Sequence, residues 1–259
     1  MPISYETIRV DAEGPVLSIR LNRPEVRNAF NEVVIAELTG PFTAPPAGTR
    51  VIVLRGEGAG FCAGADINWM KKSAGYTEAE NARDAAAMRA MFRAIDECPC
   101  PVIGRVHGVA LGGGMGLVAA CDIVVAADNT KFGFTEVRLG IVPAVISPFA
   151  LRKIGVGQAR RYFLTGELFD AARALSMGLV HEVVPIGELD VMVGSITKSL
   201  LQCGPHAVAT AKKLIREVMA LGLDDAGDYT VSTIARVRVS AEGQDGLGAF
   251  LEKRKPGWV

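Results

Sequence analysis

The 259-residue chain carries 28 Lys and Arg against 28 Asp and Glu, a formal net charge of zero, and 49% of its residues are hydrophobic. That balance leaves no basic field to draw DNA or RNA, so any anionic ligand would have to be caught by a local cluster of cations. The length suits one sizeable domain with core enough for a buried pocket. No uncharged apolar run reaches membrane-spanning length, and Met1-Pro2-Ile3-Ser4-Tyr5-Glu6 lacks a basic region followed by an apolar core, so a cytoplasmic protein without membrane association is expected. Five cysteines (Cys62, Cys98, Cys100, Cys121, Cys203) are an odd, scattered set that favours reduced thiols over a disulfide framework.

In chain order, residues 16–21 alternate like a half-buried strand, 31–38 carry a helical pattern, and Pro41 to Gly48 reads as a surface loop. Residues 51–54 form a short buried strand ending in a glycine-rich turn. Residues 77–96 form a helix, with Thr77 as N-cap, Glu80 as its capping-box partner, and Pro99 and Pro101 beyond its end. A strand at 102–106, a helix from the glycine run to about Ala120, a strand at 123–126 and an extended piece at 131–134 continue a βα rhythm. From Ser147 helical patterns dominate, broken at Pro185-Ile186-Gly187 and Cys203-Gly204-Pro205. The expected organisation is an α/β core over residues 1–187 with a helical region over 188–259.

Gly112, Gly113 and Gly114 sit where a strand-like stretch meets a helix. A helix beginning near Gly113 would present unpaired N–H groups and a partial positive charge to an oxyanion, and glycine lets that oxygen approach the main chain. Packing of small residues against a neighbouring helix is the alternative reading of the same run. The loop Phe61-Cys62-Ala63-Gly64-Ala65-Asp66 would supply a second donor, with the Ala63 N–H as candidate and Asp66 fixing the loop by local hydrogen bonds. A dinucleotide turn fails, because Gly56, Gly58 and Gly60 would need a glycine where Phe61 stands. Glu136 lies among apolar residues, where partial burial would raise its pKa. It reads either as a proton shuttle or as a charge at a helix start. Two N–H donors and one carboxylate at one centre suit enolate chemistry on a thioester. His107, His181 and His206 fall at turn or loop positions with no triad order, and read as structural.

The segments Arg27-Asn28-Ala29-Phe30-Asn31, Phe61 to Ile67, Gly108-Val109-Ala110-Leu111-Gly112-Gly113-Gly114, Cys121-Asp122 and Phe132-Gly133-Phe134-Thr135-Glu136 resemble, in order and spacing, those of the crotonase family, the enoyl-CoA hydratase/isomerase group. The tail from Ala241 to Trp258 resembles it too. The resemblance implies a spiral core of repeated ββα turns, a C-terminal helical trimerisation region, and a homotrimer or a homohexamer built from two trimers. It implies an acyl-CoA thioester as substrate and no other cofactor, CoA being part of the substrate. By the same resemblance Ala63 and Gly113 would be oxyanion residues and Glu136 the catalytic glutamate. Arg27, Ala29, Ala63, Gly64, Ala65, Asp66, Ile67, Gly112, Gly113 and Gly116 would lie along CoA or substrate.

One departure stands out: hydratases of the family commonly carry a second glutamate three residues past the oxyanion glycine, where this chain has Gly116. A lone glutamate resembles the Δ3,Δ2-enoyl-CoA isomerases, whereas segments 61–70, 112–118, 135–149 and 230–258 are most similar to bacterial methylglutaconyl-CoA hydratase-type members. Residues 142–147 hold no acid where dienoyl-CoA isomerases and aryl-CoA dehalogenases of the family place an aspartate. The expected function is a hydratase-type lyase acting on a short or branched enoyl-CoA, 3-methylglutaconyl-CoA being one candidate. The alternatives are a positional isomerase and a non-catalytic acyl-CoA-binding protein.

Overall fold

The computed structural model describes residues 5–259; Met1 to Ser4, the start of the segment read above for a leader, lie outside the described residues. The elements in chain order are β1 (Ile8–Glu13), β2 (Val16–Leu21), α1 (Glu32–Thr43), β3 (Val51–Gly56), α2 (Ile67–Ser73), α3 (Glu78–Glu97), β4 (Val102–Val106), β5 (Val109–Leu111), α4 (Gly113–Ala120), β6 (Ile123–Ala127), β7 (Lys131–Gly133), α5 (Ser147–Thr165), β8 (Phe169–Asp170), α6 (Ala171–Ser176) and β9 (Glu182–Val184). Four helices follow: α7 (Leu189–Leu201), α8 (Pro205–Ala220), α9 (Leu223–Arg238) and α10 (Ala241–Glu252).

The larger sheet runs β1-β2-β3-β4-β6-β9, with β1 antiparallel to β2 and the rest parallel. The smaller one runs β5-β7-β8. Strands β4 and β6 of the large sheet are each followed directly by a strand of the small one, so the chain winds as successive ββα turns. Parallel strands need both faces covered, which is why residues 51–54 of β3 are continuously apolar. Ile52 and Leu54 point into the main core with α1, α3 and α4, while Val51 and Val53 pack with Ile103, Val125 and the α7 residues Leu189 and Val193.

Local signals place several helix starts. The Asn31 side chain accepts from the Val34 N–H to cap α1, and Thr77 and Glu80 form the reciprocal capping box of α3. Pro41 departs from the loop expectation: it lies buried inside α1, with Phe42 wholly buried beside it. Burial of that apolar end outweighs the backbone bond a helix-interior proline removes. His206 also departs, as the second residue of α8 rather than a loop residue.

Helix α8 is tied to the core by Lys212, whose Nζ donates to Asp122 at 2.6 Å, to Cys100 O at 3.2 Å and to Ile95 O at 3.3 Å. Glu242 of α10 accepts from the N–H groups of His206 (3.0 Å) and Ala207 (2.7 Å), which satisfies orphan donors at the α8 N-terminus. Arg50 donates to Leu201 O and Trp258 O, both at 3.0 Å, and pins the tail to the sheet end. Among the described residues no helix is long and apolar enough to cross a membrane.

Candidate active site

Segment 61–66 runs between two neighbours. On one side the Phe30 N–H donates to Gly64 O (2.8 Å) and the Asp66 N–H to Phe30 O (3.0 Å). On the other, the Cys62 N–H donates to Val109 O and the Leu111 N–H to Cys62 O, both at 3.0 Å. Extended backbone would alternate its N–H directions, but Gly64 at φ +94° interrupts that alternation, so the bonds themselves decide which donor remains. The Ala63 N–H is already used, donating to Arg27 O at 2.9 Å. This corrects the expectation that Ala63 offers the second donor. Two residues on, the Ala65 N–H faces away from Phe30, whose bonds go to Gly64 O and the Asp66 N–H, and has no acceptor among the described residues.

The glycine run meets this loop edge-on. Gly112 adopts φ +50° as the residue before α4 and donates its N–H to Gly133 O at 2.9 Å. The Gly113 N–H, first in the helix, has no acceptor among the described residues. Crowding here explains the residue type. A Cβ at Gly113 would lie 2.1 Å from Phe30 Cζ, and one at Gly114 would lie 2.5 Å from Cys62 O. Gly64, at φ +94°, could carry a Cβ only 2.8 Å from Leu111 O and 3.6 Å from Gly113 N. The contacts at Gly113 and Gly114 are with Phe30 and Cys62 of the protein itself, so close packing against neighbours accounts for these two being glycine, while the α4 dipole adds partial positive charge at the same point.

Glu136 opens a 3-10 turn, Glu136–Leu139, after β7. A Cβ at Gly112 would sit 3.6 Å from Glu136 Oε1, which places the carboxylate beside the glycine run. Its Oε2 is buried and has no hydrogen-bond partner among the described residues. Burial pushes the pKa of Glu136 above the usual carboxylate range, against a smaller lowering by its own backbone N–H. Such a group can both take and return a proton.

Gly116 does not open towards this carboxylate. A Cβ there would collide with Ile146 Cγ2 at 2.5 Å and Phe92 Cζ at 2.6 Å, so apolar side chains fill the space of a second acid. Trp69, Phe30, Phe92 and Phe149 form a continuous aromatic wall, with successive ring centroids 6.3, 6.5 and 5.9 Å apart.

Outside the loop lies a cavity of about 540 Å³ lined in part by Arg27, Ala29, Ala63, Ala65, Asp66 and Ile67, six of the residues expected along the ligand. Asp66 holds the loop. It accepts from Asn68 N (2.7 Å) and Trp69 N (3.2 Å) to cap α2, and from Arg23 at 2.8 Å. Burial opposes its ionisation, yet those three donors together hold its carboxyl below the usual range. Arg27 and Asn28 both have positive φ. The Asn28 side chain stabilises that bend by donating to Glu57 O (2.7 Å) and Gly60 O (2.8 Å).

The remaining polar residues are engaged elsewhere. Burial pushes the Cys62 thiol up to about 12, so it stays protonated at the edge of the site. His107 Nε2 lies 2.8 Å from Gly58 O, and His181 Nδ1 accepts from the Val124 N–H at 3.0 Å. Tyr162 OH accepts from Arg173 Nε, and Ser147 Oγ donates to Ala144 O, both at 2.8 Å. Sequence alone places Ala65 along the ligand but not as the donor, and it misses Phe92 and Ile146.

The sequence matches the family described as "Enoyl-CoA hydratase/isomerase" over residues 11–259. It is 34% identical over 263 residues to the crotonyl-CoA hydratase of Syntrophomonas wolfei, covering 99% of each chain. It is 32% identical over 257 residues to the short-chain-enoyl-CoA hydratase of Clostridium acetobutylicum, covering 98% of this chain and 97% of that protein. Its fold superposes on the crystal structure of an enoyl-CoA hydratase from Shewanella pealeana with a TM-score of 0.93 at 37% identity, covering 98% of this chain and 96% of that one. The spiral of ββα turns, the helical C-terminal region and these matches over nearly its whole length make this chain a member of the crotonase family of enoyl-CoA hydratases and isomerases.

Proposed function

We propose that the protein adds water across the double bond of a short or branched 2-enoyl-CoA, with Glu136 as the one carboxylate that moves protons and the N–H groups of Ala65 and Gly113 as the oxyanion hole. The observation that carries this is the buried, unpartnered Glu136 Oε2 beside a helix start whose first N–H is free. In this mechanism the two donors hold the thioester oxygen and Glu136 accepts a proton as water attacks the β-carbon. The resulting enolate then takes that proton back from Glu136 at the α-carbon, so one water is added and the carboxylate is restored. The steps need no metal or redox cofactor, CoA being part of the substrate. The path for CoA runs past Arg27, Ala29 and the 63–67 loop, supported by the cavity there.

A second reading is favoured by the apolar packing at Gly116, where no acid helps to hold a water. Glu136 would then carry a proton from the α-carbon of a 3-enoyl-CoA to its γ-carbon through a dienolate. The two readings part on one assay. The pure protein is incubated in ¹⁸O-labelled water with 2-enoyl- and 3-enoyl-CoA esters, 3-methylglutaconyl-CoA among them. A labelled hydroxyacyl product is expected; a double-bond shift without label would replace the hydratase with the isomerase.

We infer a homotrimer, or two trimers as a hexamer, as the working assembly. Support comes from large apolar side chains left exposed on α8, α9 and α10 and the turn between α8 and α9, among them Met219, Leu223, Val231, Phe250 and Leu251. Light scattering should give a mass of three or six chains; a monomer at working concentration would reject this assembly.

A further inference from the structure

A second cavity, of about 570 Å³, opens between α3 and the start of α5. Its apolar lining is made by the exposed Ala82 and Ala86 of α3, the half-buried Val145 and the buried Phe149. Its rim is cationic: Arg89, Arg93, Arg152 and Arg216 line it against only two acids, Asp96 and Glu97. Those acids are spent on Arg152 (3.1 Å) and Arg93 (2.9 Å), and Arg216 reaches its chain neighbour Glu217 at 3.3 Å. Arg89 has no hydrogen-bond or ion-pair partner among the described residues. An apolar lining beside an uncompensated guanidinium fits a hydrocarbon chain that ends in a carboxylate.

The cavity is separated from the reacting centre by very little. Gly113 and Gly116 are one turn of α4 apart, Phe92 abuts Gly116, and the Phe149 ring that lines the cavity is 5.9 Å from that of Phe92. Arg152 also lies over the Phe149 ring, 5.4 Å from its centroid, so the rim and the wall are one packed unit. We propose that this cavity is a distal extension of the acyl site, and that through Arg89 it lets the site hold, beyond the short or branched esters proposed above, acyl-CoA esters of medium length whose far end is a carboxylate. Phe92 and Phe149 would turn aside to admit the chain. This rests on the reading of the protein as an acyl-CoA enzyme and adds a specificity-determining residue to it.

Calorimetric binding of saturated esters, which have no double bond to react, tests this without relying on turnover. The CoA monoester of octanedioic acid should bind more tightly than octanoyl-CoA. Arg89→Ala should erase about tenfold of that preference and Arg89→Lys should restore part of it. Ala86→Trp, which fills the cavity from an exposed helix position, should weaken both eight-carbon esters relative to butyryl-CoA. Equal preference in the wild type and Arg89→Ala, or eight-carbon and butyryl esters responding alike to Ala86→Trp, would overturn the assignment. Crotonyl-CoA hydration by the wild type is measured alongside. Its absence would remove the hydratase reading while leaving the binding ratios to decide the distal site.

Discussion

Glu136→Gln should lower the turnover of enoyl-CoA esters by about 10²–10⁴-fold while CoA-ester binding persists, because the amide keeps the shape of the side chain and cannot accept the proton. The same change should raise the melting temperature at neutral pH. Burial raises the pKa of Glu136, so the folded protein holds this proton more tightly than the unfolded chain does. Stability is therefore lost as pH climbs from the ordinary carboxylate value of 4.5 through the raised one, and the ionised carboxylate works against folding above it. Gln carries no charge and escapes that cost. The acid limb of the wild-type rate profile should correspondingly lie above the usual carboxylate range, since the base must be ionised to act. Full activity in Glu136→Gln would show that this carboxylate does not move the proton, and a melting point that falls would show that it does not sit buried and unpaired.

Gly64→Ala should cost about 10²–10³ in kcat, comparable to removing an oxyanion donor outright. Its Cβ would lie 2.8 Å from Leu111 O, at the end of β5 just before the glycine run, so the loop carrying Ala65 must shift relative to the segment that leads into the helix start. Strain alone is a confounder, because alanine at φ +94° is disfavoured wherever it stands. Gly48 separates the two effects: it has φ +85° and nothing within 4 Å of its would-be Cβ. Gly48→Ala should share the loss of stability and keep kcat. If Gly64→Ala changed only stability, as the Gly48 variant should, the pairing of Ala65 with Gly113 as donors would be untenable.

What the sequence determined by itself is what depends on neighbours along the chain. The capping box of Thr77 and Glu80, the helix opening at Gly113, and the strand at 102–106 all follow from residues a few positions apart, and the structure places each there. The same holds for Asp66 as a loop fastener, since its main acceptor role is towards the N–H groups two and three residues on. The candidate site was legible as a set of segments, the 61–66 loop, the glycine run and Glu136, because their residue types are restricted by close backbone approach and burial. Tertiary structure decided the rest. Arg27 and Phe30, more than thirty positions before the loop, take up the Ala63 and Asp66 N–H groups respectively and leave that of Ala65 without an acceptor among the described residues. Phe92 and Ile146, from two different helical regions, fill the space beside Gly116. Pro41 sits in a helix because the core around Phe42 accepts it. Hydrogen-bond direction and packing are shared between distant segments, so no window of sequence contains both partners, and only the folded chain assigns the donor that is free and the space that is full.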